Sequence, residues 1–262
     1  MNQRADVIPA AGMETTAIRD GHGFGVDGLR AYLSDRLPER PAHFEVTQFR
    51  GGQSNPTFLV DTGTRRYVLR KKPPGDLLPS AHMIEREFFV FEKLASTALP
   101  VPMVRHLCED PGVIGTPFYV MDFLDGRVFR NPALPDCSVA ERTAIYGSMN
   151  ATLATLHAID YRAAGLETFG RPENYIARQI ALWTKQYRAS ETETIEALDT
   201  LIDWLPAHIP AGEEHAIAHG DFRLENLVFA HDSAEVLAVL DWELATLGHP
   251  LCDVAYNCMI YD

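Results

Sequence analysis

Between residues 44 and 121, short apolar runs alternate with turns rich in glycine and aspartate, a pattern typical of β-strands. Residues 83–95 depart from this pattern, because their apolar side chains recur every three or four positions, which predicts a helix. This part of the chain is therefore predicted to form three strands, one helix and two further strands. The predicted strands are Phe44–Phe49, Thr57–Val60, Tyr67–Leu69, Val104–Cys108 and Phe118–Met121.

From residue 138 onwards the periodicity becomes helical. Ser138 and Glu141 have the spacing of a capping box, in which both side chains satisfy backbone N–H groups at the start of a helix. A second helix is predicted over residues 174–188. A third is predicted from Ser190, where Glu193 completes another capping box. The first helix has Ile145, Met149, Leu153 and Leu156 on its apolar face, and the third has Ile195, Leu198, Leu201, Ile202 and Leu205.

Further along the chain, two β-prone runs predict a hairpin. The runs are Leu227–Phe229 and Val236–Leu240, and His231-Asp232-Ser233 between them favours a turn. Another β-prone run, Ala216–Ala218, lies upstream. Because Asp241 directly follows the hairpin, we expect the hairpin to return it to the loop that precedes the first strand.

That loop and the hairpin carry side chains suited to phosphoryl transfer. The reaction needs a carboxylate near the attacking hydroxyl and oxygen ligands for Mg²⁺. Asp221 and Asn226 in the loop, together with Asp241 after the hairpin, can supply both. The alternative interpretation is that the first two only cap a turn and the third only ends a strand, as Asp and Asn often do.

Composition narrows the class of protein and of partner. The chain has 262 residues, of which 46% are hydrophobic and 23% are charged, as in ordinary globular proteins. Its net charge of −13 argues against a nucleic-acid partner, whose phosphates would repel it. The four cysteines form no CxxC pair, which argues against disulfides and zinc and favours a reducing cytoplasm. No secretory signal or membrane-spanning run is visible, so we expect a cytoplasmic protein without a membrane partner.

The HGD-x-x-x-x-N run and the Asp-Trp-Glu tripeptide after the hairpin resemble the catalytic loop and the metal site of the aminoglycoside phosphotransferase-like (choline kinase-like) family. This family is a branch of the protein-kinase-like fold. The resemblance implies that Asp221 is the catalytic base or orients the acceptor hydroxyl, and that Asn226 and Asp241 hold Mg²⁺. Arg223 matches a position where these enzymes often carry a cation that faces the transferring phosphate.

The same resemblance implies a nucleotide half of the site. Ser54 and Asn55 lie in a Gly-Gly loop that occupies the place of the phosphate-covering loop, although such glycines often form only a hairpin turn. Arg70 stands where the family usually has its ATP-phosphate lysine, and Lys71 is the alternative. Neighbouring strand residues point to opposite faces, so only one of the two can reach the phosphates. Glu87 matches the glutamate that orients this cation, or it is a plain surface charge.

Met121 and Phe123 lie where the hinge of these proteins binds adenine, and the resemblance implicates their main chain; alternatively they only pack. His219 is interpreted as a structural residue of the catalytic loop. His249-Pro250 and Asp253 fall where the family keeps a segment that anchors its helical lobe. We therefore expect no catalytic role for these last residues.

The implied fold class is α+β, a protein-kinase-like two-lobe fold with an antiparallel-sheet N-lobe and a mainly helical C-lobe. We predict a loose leader over residues 1–26, the N-lobe with its nucleotide-binding sheet over residues 27–124, and the C-lobe over residues 125–262. Relatives of this kind continue with further helices, so the C-terminus at Asp262 is expected to be truncated.

Three segments, GGxSNPTF, VLRKKPPG and LLPSAH, are most similar to the subgroup whose kinase domains are joined to acyl-CoA dehydrogenases. The resemblance implies a Mg²⁺- and ATP-dependent phosphotransferase that acts on the hydroxyl of a small molecule, with a hydroxyacyl metabolite as a candidate acceptor. The alternatives are a nucleotide-binding pseudokinase or scaffold without turnover, and an aminoglycoside kinase. A protein kinase is disfavoured, because no segment resembles an activation loop with an APE ending.

Overall fold

The structure is a computed structural model that describes residues 14–39, 43–50, 55–75, 83–212 and 214–259. The chain divides into two compact units. The first unit consists of Met1–Thr155 and Arg223–Glu243, and the second of Leu156–Phe222 and Leu244–Asp262. The lobe boundary that the sequence suggests, at residue 124, stays a prediction.

The first unit contains a six-stranded antiparallel sheet. Its strands are β1 (Thr15–Thr16), β2 (Glu45–Phe49), β3 (Thr57–Asp61), β4 (Arg66–Lys71), β5 (Val104–Cys108) and β6 (Phe118–Asp122). Their order in the sheet is β1-β2-β3-β4-β6-β5. Five of these strands are the ones predicted, with ends that differ by two residues or fewer. The additional strand, β1, lies inside the segment expected to be a loose leader, where it pairs with β2.

Helices α1 (Val26–Leu33) and α2 (Ile84–Leu94) accompany this sheet. The apolar residues of α1 form one buried cluster with Tyr67 and Leu69 of β4. Residues of α2 contact β5 and β6, and the ring of Phe91 lies 6.3 Å from that of Tyr119. Because successive strand residues point to opposite faces, the residues of β4 alternate between the α1 cluster and the other face.

The predicted hairpin is confirmed within the first unit. Its strands are β8 (Leu227–Phe229) and β9 (Val236–Val239), and Leu227 pairs with Val239 at the end next to Asn226. The backbone of Arg127 exchanges two hydrogen bonds with that of Phe229, so the hairpin is fixed to the segment after β6.

The predicted capping box at the start of α3 (Val139–His157) is also confirmed. The hydroxyl of Ser138 donates to the carboxylate of Glu141 at 2.6 Å, and the backbone N–H of Glu141 donates back to that hydroxyl at 3.3 Å. This local exchange explains why the helix begins where the sequence predicts it.

The second unit contains helices α4 (Tyr175–Ser190), α5 (Glu196–Trp204) and α6 (Leu251–Cys258), and strand β7 (Ala216–Ala218) paired with β10 (Thr246–Gly248). Among the described residues, no helix combines the length and the apolar character needed to cross a membrane.

The predicted start of the helix after α4 is wrong. Ser190 is the last residue of α4, and its hydroxyl donates to the carbonyl groups of Gln186 and Tyr187. The hydroxyl therefore bonds back into the preceding helix instead of capping the next one, a competition that serine side chains commonly enter. Helix α5 begins six residues later, at Glu196, and Leu201 on its expected apolar face is 46% exposed.

Trp242, which follows the hairpin, is among the largest fully buried side chains of the first unit. Its indole N–H donates to the carbonyl of Val239 at 3.2 Å, and its ring lies 6.4 Å from the ring of Phe91 in α2. The indole therefore fixes the end of β9 against the helix that carries Glu87.

Replacing Trp242 by alanine should lower the free energy of unfolding by about 3–5 kcal/mol, because a large buried ring is lost and a cavity remains. Urea denaturation followed by circular dichroism would measure the change. Trp183 is 63% exposed, so Trp183→Ala is the matched control and should change the stability by about 0.5 kcal/mol or less. Equal losses in both variants would show that burial of Trp242 is not what stabilises this region.

Candidate active site

Arg70 lies in β4 on the face opposite the α1 cluster, and three carboxylates of the first unit surround its guanidinium. Its Nε lies 3.2 Å from Glu87 of α2, and its Nη2 lies 2.8 Å from Asp241 and 3.4 Å from Glu243. We call Arg70, Glu87, Asp241 and Glu243 the carboxylate–guanidinium cluster. Its centre is largely removed from solvent, since the side chain of Arg70 is 13% exposed and that of Glu87 is 1% exposed.

Burial sets the electrostatics of this cluster. It raises the pKa of Glu87 above its ordinary value, and the positive charge of Arg70 offsets only part of this effect. For Arg70, burial acts to lower the pKa, but Glu87 and Asp241 more than compensate, so its pKa lies above the ordinary arginine value. The guanidinium is therefore a permanent positive charge inside the unit.

Asn55 extends the cluster towards the Gly-Gly loop. Its side-chain N–H donates to Glu243 at 3.3 Å, and the residue is buried, with 1% of its surface exposed. Ser54 and the glycines before it lie outside the described residues. Asn55 is thus bonded to the carboxylate that also contacts Arg70.

Asp241 has a left-handed backbone, with φ at +65°, a conformation that costs energy for a residue other than glycine. Its neighbours hold it in place. The backbone N–H of Trp242 donates to the buried Glu87 at 3.3 Å, and the guanidinium of Arg70 holds the Asp241 carboxylate. The unusual backbone turns the Asp241 side chain towards Arg70 instead of continuing the strand.

Hairpin register brings Asn226 next to the position of Asp241. The backbone N–H of Leu240 donates to the carbonyl of Asn226 at 2.8 Å, one residue before Asp241. A carboxylate and a carboxamide are hard oxygen donors of the kind that Mg²⁺ prefers, so these residues fit that ion. In the part of the chain that the structure describes, no group of three or more His, Cys, Asp or Glu residues forms a metal centre. Mg²⁺ commonly takes only one or two protein carboxylates and completes its shell with water and phosphate.

Lys71 projects to the opposite face of β4 from Arg70, as strand alternation requires. Its ammonium lies 5.2 Å above the ring of Phe24, which packs against the α1 cluster, and the residue is 2% exposed. Burial lowers its pKa. Arg70 therefore lies on the face of β4 that meets the three carboxylates, and Lys71 lies on the face of the α1 cluster.

The predicted hinge residues occupy the end of β6 and the segment after it. Met121 is buried, and the ring of Phe123 stacks on that of Phe49 with centroids 6.4 Å apart. The backbone N–H of Phe123 donates to the carbonyl of Arg66. Arg223, by contrast, is 46% exposed and forms an ion pair with Glu225.

Asp221 belongs to the second unit, where the hydroxyl of Tyr256 in α6 donates to its carboxylate at 2.6 Å. Gly220 before it has φ at +84°, and a Cβ there would lie 2.9 Å from the carbonyl oxygen of Leu244. A glycine is therefore required at this turn, which sets the direction of the Asp221 side chain.

Asp253 anchors the same turn from α6. Its carboxylate accepts the backbone N–H groups of His219 at 2.9 Å and Gly220 at 2.8 Å, and it lies 3.0 Å from Nε2 of His157. Burial alone would raise the pKa of Asp253, but the hydrogen bonds from His157, Gly220 and His219 outweigh burial and hold the pKa below its ordinary value. These contacts are structural and support the loop before Asp221.

Sequence reasoning missed two residues of these sites. Glu243 belongs to the Asp-Trp-Glu tripeptide, which does not predict its contacts with Asn55 and Arg70. Tyr256 lies three residues after Asp253 on α6, a spacing that places both on one side of the helix. These three contacts join residues far apart in sequence, which periodicity cannot reveal.

The six-stranded antiparallel sheet, the helices and the buried Arg–Glu pair define the protein-kinase-like, two-lobe α+β class. The pattern described as "Phosphotransferase enzyme family" matches residues 45–262, and the chain belongs to this family.

Two curated relatives are larger proteins. Acyl-CoA dehydrogenase family member 10 of Mus musculus is 49% identical over 248 residues, which is 94% of this chain and 23% of that protein. Acyl-CoA dehydrogenase family member 11 of Rattus norvegicus is 47% identical over 253 residues, which is 95% of this chain and 32% of that protein. The chain thus spans less than a third of either relative.

Solved structures agree with this fold. A crystal structure of a Ralstonia eutropha protein, provisionally named an aminoglycoside phosphotransferase, matches with a TM-score of 0.82 and 48% identity over 91% of this chain and 70% of that chain. The streptomycin–ATP complex of APH(2")-IIa matches with a TM-score of 0.62 over 88% of this chain and 76% of that chain. At 16% identity, the second match shows the fold alone.

Replacing Asp253 by asparagine should lower the free energy of unfolding at pH 7 by roughly 2 kcal/mol, because charge-assisted hydrogen bonds are lost. An aspartate whose native pKa is depressed stabilises the fold above its unfolded pKa and loses this contribution as the pH falls through the native pKa. The difference between wild type and variant should therefore shrink below about pH 4.

Denaturant titrations at several pH values would test this dependence, with Asp232→Asn in the exposed hairpin turn as the matched control. A difference that stays constant from neutral to acidic pH would show that the charge of Asp253 does not contribute.

Proposed function

We propose that this chain is an ATP-dependent phosphotransferase that transfers a phosphoryl group to the hydroxyl of a small molecule. The observation that carries the proposal is the carboxylate–guanidinium cluster. It combines a buried, permanently charged Arg70 with Asp241 at the end of a hairpin that begins beside Asn226. Membership of the phosphotransferase enzyme family supports this class of reaction.

Arg70 and Asn55 would form the phosphate side of the nucleotide site. A guanidinium can contact two phosphate oxygens at once, and its pairing with the buried Glu87 limits its motion. Ser54 is proposed as a further phosphate ligand, and the main chain of Met121 and Phe123 as the adenine contact. ATP as the donor is supported by the ATP complex of APH(2")-IIa, a protein of the same fold.

Asn226 and Asp241 would hold Mg²⁺, since their oxygens fit this ion and the hairpin keeps their backbones in register. When bound, Mg²⁺ supplies positive charge that stabilises the transferring phosphoryl group. Arg223 is exposed, so it would act on the phosphate only after it leaves Glu225.

Asp221 would accept the proton of the acceptor hydroxyl or orient that hydroxyl. Its carboxylate already accepts a hydrogen bond from Tyr256 at 2.6 Å, which limits rotation of the carboxylate. Gly220 and Asp253 hold the turn that presents it. In this assignment Tyr256 is a positioning residue.

For the acceptor we propose a hydroxyacyl metabolite. Two relatives that share almost half of their residues with this chain over this region are named as acyl-CoA dehydrogenase family members, which favours acyl chemistry. An aminoglycoside is the second candidate acceptor, because a 48% identical solved protein carries that provisional name. With a net charge of −13, the chain is not proposed to bind nucleic acid, and we propose a cytoplasmic location without a membrane partner.

Replacing Asp221 by asparagine should lower kcat for phosphoryl transfer by roughly 10²–10⁴-fold, the usual contribution of a general base. The dissociation constant for Mg-ATP should stay close to that of wild type, because the proposed contact is with the acceptor. Coupled ADP release with a panel of 3-hydroxyacyl-CoA and aminoglycoside acceptors would measure turnover, and calorimetry would measure binding.

The matched control is Asp232→Asn, in the exposed turn of the hairpin, which should retain full activity. Loss of ATP affinity in Asp221→Asn would contradict the assignment of Asp221 to the acceptor. Tight Mg-ATP binding by the wild type without turnover on any acceptor would support the nucleotide-binding scaffold instead.

A further inference from the structure

Arg70 contacts the carboxylate that is proposed to hold the metal, so the guanidinium and a divalent cation would share one side chain. Its Nη2 donates to Oδ1 of Asp241 at 2.8 Å. We propose that Arg70 is an internal counter-ion that neutralises Asp241 until a divalent cation displaces it. This inference rests on the proposed function, since it takes Asp241 as a metal ligand.

The guanidinium of Arg70 lies among three carboxylates. Its Nε lies 3.2 Å from Glu87 without forming a hydrogen bond, while its Nη2 donates to both Asp241 and Glu243. One arginine thus joins three carboxylates that come from α2 and from the segment after the hairpin. A lysine is a single point charge and could not keep the same three contacts. The departure from the usual lysine at this position therefore has a specific structural consequence.

The positive and negative charges of the carboxylate–guanidinium cluster are unequal. Three carboxylates face one guanidinium in the carboxylate–guanidinium cluster, so the fully ionised cluster has an excess of negative charge. The side chains of Asp241 and Glu243 are only 30% and 25% exposed, which limits screening by water. The cluster therefore attracts a divalent cation. Such a cation at Asp241 would repel the guanidinium that now occupies that carboxylate.

A guanidinium that leaves Asp241 keeps other partners in the carboxylate–guanidinium cluster. Glu87 is buried and fixed by the backbone N–H of Trp242, so it keeps Nε in place. Glu243 already accepts a hydrogen bond from the same Nη2 at 3.4 Å, so this contact can remain and shorten when Asp241 gives up its own. Rotation about the Cδ–Nε bond of Arg70 would therefore move Nη2 from Asp241 towards Glu243, while Nε stays beside Glu87.

The carboxylate–guanidinium cluster is also connected to Asn55. Glu243 also accepts the side-chain N–H of Asn55, the first described residue after the Gly-Gly loop. Nη2 of Arg70 already donates to the same oxygen of Glu243. A cation at Asp241 would draw the guanidinium closer to this shared oxygen and weaken the bond from Asn55, which couples the metal site to the nucleotide site. Such coupling is reciprocal, so nucleotide would also tighten metal binding.

The test measures binding of Mn²⁺ alone, without nucleotide, by the loss of the electron paramagnetic resonance signal of free Mn²⁺. Arg70→Gln removes the competing cation, so Mn²⁺ should bind about tenfold more tightly than in wild type. Arg70→Lys keeps the charge but loses the fork that reaches Asp241, and should give a smaller tightening of about threefold. Arg66→Gln is the matched control, because it removes the same charge from the same strand at an ion pair with Asp125, and it should bind Mn²⁺ as wild type does.

Arg70→Gln leaves the buried Glu87 without its cation and could prevent folding, so Arg70→Gln/Glu87→Gln is the second variant. Removing both partners of a buried pair is far less destabilising than removing one. The double variant should also bind Mn²⁺ more tightly than the single variant Glu87→Gln, in which Arg70 still competes for Asp241.

Wild-type Mn²⁺ affinity in Arg70→Gln, together with equal affinities of Arg70→Gln/Glu87→Gln and Glu87→Gln, would overturn the exchange while leaving Asp241 as a metal ligand. Tightening in Arg70→Gln together with wild-type affinity in Arg70→Lys would also overturn it, because charge at a distance would then explain the effect. Absence of Mn²⁺ binding in every protein would overturn the metal role of Asp241, and with it the proposed function.

A second readout follows Arg70 itself in the wild-type protein. The arginine Nε–Hε signal that disappears in Arg70→Lys can be assigned to this residue by nuclear magnetic resonance. Addition of Mg²⁺ should shift this signal, since the guanidinium changes partners. An unchanged signal at a Mg²⁺ concentration that saturates the site would refute the displacement.

Discussion

The buried ion pair between Arg70 and Glu87 is the constraint on which the site of the first unit depends. A buried carboxylate costs free energy unless it is paired and hydrogen-bonded, and Glu87 is 1% exposed. The pair can form only when β4 and α2 are packed together, so it links the position of the sheet to that of the helix. It also directs the remaining guanidinium nitrogens towards Asp241 and Glu243.

The segment after the hairpin depends on the same pair. Asp241 adopts a left-handed backbone that isolated chains rarely choose, and the neighbouring structure has to offset that cost. Burial of the Trp242 ring and the hydrogen bond from its N–H to Glu87 supply this support. The metal-ligand candidate is therefore held by packing and electrostatics together. Because the same guanidinium that stabilises Asp241 would compete with a cation there, stability and ligand binding are opposed at this residue.

Much of the secondary structure could be predicted because it follows from local patterns. The hairpin, the capping box at Ser138 and the alternation of β4 all involve neighbours in sequence. The prediction was wrong at Ser190, where a hydroxyl had two local choices, capping the next helix or bonding back into its own. Sequence spacing is the same for both choices, and only the continuation of α4 decided between them.

The sequence by itself determined which side chains are candidates for the proposed chemistry, because Asp221 and Asn226 are five residues apart and Asp241 directly follows the predicted hairpin. Only the tertiary structure decided which of two adjacent cations is available. Arg70 meets the carboxylate of α2, while its neighbour Lys71 is buried on the other face near an aromatic ring. The physical reason is that alternation along a strand makes the two cations point to opposite faces. The elements packed on each face are distant in sequence, and they determine what each cation contacts.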